Sequence, residues 1–65
     1  MKIETLNNII KLSQNGKVTI ENYRDVYYVH WIYSFNGRDL WTFGETLEGA
    51  MKDLTSIATD YLARF

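Results

Sequence analysis

The residue types that could do chemistry are sparse here: one histidine, no cysteine, and eight Asp and Glu scattered along 65 residues. A lone imidazole, His30, cannot build a metal cluster or a triad with a second imidazole within one chain. Paired-carboxylate catalysis needs two acids converging on one pocket, and Asp25, Asp39, Asp53 and Asp60 are dispersed over expected turns and helix surface. Gly44 and Gly49 flank a helix start but lack the other glycines and the lysine of a phosphate loop. The expectation is therefore a protein that is not an enzyme, with no catalytic residue, no metal and no cofactor. What the chain has in quantity is aromatic surface: two Trp, five Tyr and three Phe. Tyr28, His30, Ile32, Trp41 and Phe43 are the expected anchors of a partner-binding surface, since Trp and Tyr dominate interface hot spots. Lys17, Glu21 and Asp39 are its expected rim.

These residues need a sheet to bring them together. Residues 27–43 read as a hairpin, two aromatic runs separated by Asn36-Gly37, the dipeptide that best accepts positive φ at both turn positions. A two-residue turn there sets Phe35 opposite Arg38, Leu40 opposite Tyr33, Trp41 opposite Ile32 and Phe43 opposite His30. Before it, residues 17–23 alternate Val18 and Ile20 with Lys17, Thr19 and Glu21, the period of a half-buried strand. A turn of two or four residues around Arg24-Asp25 then sets Ile20 opposite Val29 or Tyr27. Directly opposed residues share a face. One face collects Val18, Ile20, Tyr27, Val29, Trp31, Tyr33, Phe35 and Leu40; the other collects Lys17, Thr19, Glu21, Tyr23, Tyr28, His30, Ile32, Trp41 and Phe43. The first is the more apolar and is expected to hold the helices. The second is expected to stay open, and an exposed aromatic patch marks an interaction site.

Two helices flank the strands. Ile3, Leu6, Ile9, Ile10 and Ser13 recur at helical spacing, with Leu12 off the stripe, so residues 3–14 read as an amphipathic helix stopped by Asn15-Gly16. Residues 46–64 read as the second helix. Thr46 is its expected N-cap, and Leu47, Ala50, Met51, Leu54, Ile57, Ala58, Tyr61, Leu62 and Phe65 form its apolar stripe. The fold class expected is α+β: a two-layer sandwich, α-β-β-β-α, with a three-stranded antiparallel sheet and two helices on one face, in a single domain.

A chain this short buries only about 60% of the surface its unfolded form exposes, and small domains add disulfides, a metal or a partner. With no cysteine and one histidine, the partner is the expected remedy: another protein, or a second copy in a homodimer. Formal net charge is −1 and the pI is near 5.6, with both signs interspersed. Nucleic acid is therefore not the expected partner, since a phosphate backbone needs a basic footprint. Met1-Lys2-Ile3-Glu4 carries an early acid and no long apolar run, so neither a signal peptide nor a membrane span is expected, and the location expected is cytoplasmic.

The α-β-β-β-α order is similar to that of double-stranded RNA-binding domains. That family holds phosphates with a lysine-rich start of the last helix, where this chain carries Glu45 and Glu48. Locally, Gly44-Glu45-Thr46-Leu47-Glu48-Gly49-Ala50 resembles the Gly-acid-Thr-x-Glu-x-Ala segment by which HicB-type antitoxins pass from sheet to helix. That resemblance implies a small, acidic, non-catalytic protein that neutralises another protein. The functional expectation is an antitoxin-like or mobile-element inhibitor that occludes a partner through its open sheet face. The alternatives are a structural homodimer packed sheet to sheet and a weak nucleic-acid-binding module.

Overall fold

The computed structural model describes residues 2–64. The chain runs α1 (Ile3–Ser13), β1 (Gly16–Tyr23), β2 (Val26–Tyr33), β3 (Asp39–Gly44) and α2 (Leu47–Leu62). The strands form one antiparallel sheet in the order β1-β2-β3. Both helices lie on the same face of it, α2 over β2 and β3, α1 over β1 and against α2. This is the α+β arrangement that the alternation and the helical stripes predict.

The core sits between the layers and is built from Leu12 of α1, Val29 and Trp31 of β2, and Ala50, Met51, Leu54 and Ala58 of α2. Two polar contacts lock the layers. The Trp31 indole N–H donates to the Leu12 carbonyl over 2.8 Å, and the buried Thr42 hydroxyl donates to the Ala50 carbonyl over 2.8 Å. Thr46 caps α2 as expected, its hydroxyl accepting from the Gly49 N–H at 3.1 Å. Phe65, the last residue of the predicted α2 stripe, lies outside the described residues.

The first turn takes the shorter of the two lengths predicted for it, and the second is longer than predicted. The β1–β2 connection is the tight one: Tyr23 pairs with Val26, and Arg24 and Asp25 both have positive φ, 52° and 63°. That is the pattern of a type I′ hairpin turn, and it places Ile20 opposite Val29 and Val18 opposite Trp31. Asn36-Gly37, by contrast, belongs to a four-residue loop, 34–37. Only Gly37 has positive φ there, at 72°. Its N–H donates to the Tyr33 carbonyl, and the Tyr33 N–H donates to the Arg38 carbonyl. Asn36 is drawn out of a tight turn by its side chain, which accepts from the Arg38 N–H at 2.9 Å and donates to the Tyr61 hydroxyl of α2 at 2.6 Å.

The longer loop shifts β3 by two residues from the predicted register. Leu40 lies opposite Trp31, Trp41 opposite His30, and Phe43 opposite Tyr28. Because side chains alternate with period two, an even shift leaves every residue of β3 on its predicted face. Phe35 is the exception. It leaves the strand for the loop and is 82% exposed.

The first helix corrects the prediction more deeply. Its buried residues are Thr5 and Leu12, while Ile3, Leu6 and Ile10 of the predicted stripe face solvent. The rotation follows from Trp31, whose buried N–H needs an acceptor. The last carbonyls of a helix lack intrahelical partners, and the Leu12 carbonyl, which also accepts from the Asn15 N–H, supplies the acceptor. Gly16 also differs from its predicted role as a left-handed helix stop, since its φ is not positive. A Cβ there would come within 2.1 Å of the Ile32 carbonyl oxygen and 2.7 Å of Trp31 Nε1, so glycine is required by close approach.

Candidate functional site

The face of the sheet away from the helices is a small grid set by strand pairing. Its rows are Lys17, Ile32 and Asp39; then Thr19, His30 and Trp41; then Glu21, Tyr28 and Phe43, with Tyr23 beyond Glu21 at the end of β1. All five predicted anchors and all three predicted rim residues therefore share this face. They divide by depth. Trp41 and Phe43 are 58% and 71% exposed and Tyr28 is exposed beside them, whereas Ile32 is half-buried and the His30 side chain is only 14% exposed.

His30 is covered because Trp41 lies flat upon it. The Tyr33 N–H bond to Arg38 marks that pair as hydrogen-bonded. Counting back by twos, Trp31 with Leu40 and Val29 with Thr42 are hydrogen-bonded too, which leaves His30–Trp41 and Tyr28–Phe43 as the closer, non-hydrogen-bonded pairs. The His30 and Trp41 rings stack at 3.8 Å between centroids and 7° between planes. Tyr28 and Phe43 meet in a tilted contact at 6.2 Å. His30 Nε2 also lies 3.3 Å from the Asp39 carboxylate, an acceptor for a proton carried on that nitrogen.

Trp41 stands as a shared wall between two concavities. One, of about 530 Å³, lies on the open face and is lined by Glu21, Asn22, Tyr23, Tyr28 and Trp41. The other, of about 450 Å³, runs between β3 and α2 and is lined by Trp41, Thr42, Phe43, Asp53, Ser56 and Ile57. Sequence reasoning placed Tyr23 on this face without counting it an anchor, and did not foresee Asp53, Ser56 or Ile57. The signal for Tyr23 is its position at the strand end beside a two-residue turn, which keeps it in register with the rest of the face. Nothing in the helical stripe singles out the α2 residues.

The acids remain dispersed: among the described residues no group of three or more His, Asp or Glu side chains converges to hold a metal ion. No helix among them is long and apolar enough to cross a membrane. Among the described residues the arrangement offers flat aromatic surface, one acid, Asp39, beside an imidazole, and two acids, Glu21 and Asp53, without an ion pair. No family model, curated protein or solved structure matches the chain.

Proposed function

We propose that the chain is a non-enzymatic protein-binding module, an antitoxin-like or mobile-element inhibitor, that covers a partner's surface with the open face of its sheet. The observation that carries this reading is the separation of labour in β2 and β3. The helix-facing residues Val29, Trp31 and Thr42 are buried and account for the core and its polar locks, while Tyr28, Trp41 and Phe43 remain exposed on the far side. Large aromatics kept exposed in a cluster fit the composition of interface hot spots. The test is capture from lysate of the source cell by the wild-type chain and by Trp41→Ala/Phe43→Ala. A protein retained by the first and lost by the second is the expected result; equal retention by both ends the reading.

A homodimer through the same face is the second reading, and one relationship favours it. Lys17 and Asp39 stand at opposite ends of one row, so a two-fold axis along the strands sets Lys17 of one copy over Asp39 of the other, twice. Sedimentation across a hundred-fold range of concentration decides this. A monomer mass throughout removes it, and a dimer broken by Lys17→Glu and restored by Lys17→Glu/Asp39→Lys supports it.

A further inference from the structure

We propose that the concavity between Tyr23, Tyr28 and Trp41 receives an arginine side chain of the partner protein. This deepens the reading of the open face as a protein-binding surface and rests on it. Among the described residues no ring contact joins any two of these three aromatics, so the space between them stays open. Trp41 is backed by the His30 ring at 3.8 Å and Tyr28 by Phe43 at 6.2 Å, while Tyr23 already carries a cation over one face, the Arg24 guanidinium 5.2 Å from its centroid. Two of the three rings are thus set in place by a neighbouring ring, and the third shows by its own contact that its face takes a guanidinium.

The electrostatics of the pocket select a cation. Aromatic faces are the negative ends of a quadrupole, and an organic cation over them gains more as water is excluded. Glu21, paired across the strands with Tyr28, adds a full negative charge. Among the described residues no hydrogen bond or ion pair engages its carboxylate. An anion is repelled by this wall, and a purely apolar group leaves the carboxylate desolvated without compensation. Arginine fits better than lysine because its planar, weakly hydrated guanidinium stacks on rings while its N–H groups remain free for a carboxylate. The Arg24–Tyr23 contact is an example of that stacking within this chain, and Arg24 does not itself line the concavity. The concavity is shallow and open to solvent, so the guanidinium reaches it from a peptide lying across the face.

The test is an NMR titration of the intact chain at low ionic strength with acetyl-Gly-Arg-Gly-amide, and with the citrulline peptide, which keeps the shape and loses the charge. The expected result is saturable shifts at Tyr23, Tyr28 and the Trp41 indole with the arginine peptide, and binding about ten-fold weaker with citrulline. Glu21→Gln, a near-isosteric change at an exposed position, is expected to weaken the arginine peptide about three-fold. Equal response to the two peptides, or no shift at these residues, overturns the proposal. Tetramethylammonium binding more tightly than the arginine peptide overturns it also, by assigning the pocket to a free organic cation. Loss of partner capture in the Trp41 variant together with silence toward arginine ends this inference while leaving the open-face reading in place.

Discussion

The Trp31 indole and the Leu12 carbonyl, 19 residues apart, meet at 2.8 Å in a buried hydrogen bond that ties the C-terminal turn of the first helix to β2. Trp31→Phe keeps an aromatic ring and removes the donor. The expected cost is about 1–3 kcal/mol, and at about 4–8 °C per kcal/mol for a domain of this size thermal denaturation reads it directly.

The rotation of α1 makes a paired prediction. Leu12→Ala leaves a cavity under the helix and is expected to cost about 2–5 kcal/mol. Ile10→Glu, on the exposed side, is expected to change stability by about 0.5 kcal/mol or less. Chemical denaturation of the two variants checks it, and the opposite ranking would restore the stripe predicted from spacing.

Gly16 and Gly44 begin and end the sheet but differ in the room around them. A Cβ at Gly16 collides with the Ile32 backbone, whereas one at Gly44 meets its nearest neighbour at 3.4 Å. Gly16→Ala is expected to cost about 1–3 kcal/mol or more, and Gly44→Ala less than about 1 kcal/mol, measured by urea midpoints.

Asp25 holds a left-handed backbone without being glycine, a conformation that costs an L-residue roughly 1–2 kcal/mol. Asp25→Gly removes that strain and creates a turn partner better suited to type I′. A rise in melting temperature of about 4–8 °C is expected. Arg24 is left in place so that its contact with Tyr23 is preserved.

On the open face the expectation is reversed, because the exposed aromatics contribute little to folding. Phe43→Ala should leave the denaturation midpoint within about 1 kcal/mol of wild type, while abolishing whatever association the face supports. Circular dichroism and sedimentation of the same sample separate the two effects.

Much of this architecture was readable from residue patterns, and the parts that were not share a cause. Alternation in β1, β2 and β3 assigned each of their residues to a face, and that assignment survived an error in register because the error was even. The Thr46 cap and the α2 stripe are local patterns and were found locally. The rotation of α1 was not, since Ile3, Leu6 and Ile10 of the predicted stripe lie on the solvent side and only Ile9 of its apolar residues packs against the core. The deciding bond joins Leu12 to a residue on another element. Asn36-Gly37 misled for the same reason: the loop geometry answers to Tyr61, 25 residues away. At the site, period two brought Tyr28, Trp41 and Phe43 to one surface. The stacking of Trp41 on His30 depends on the register that the loop set, and so was invisible until the loop was seen.

Strands β2 and β3 contribute alternate residues to the core and to the open face. Single-codon changes at Tyr28, Trp41 and Phe43 therefore alter the outer surface while Val29, Trp31 and Thr42 keep the core constant. A one-codon deletion within β2 has the opposite effect: it exchanges the two faces along the rest of the strand and turns the inside of the protein out.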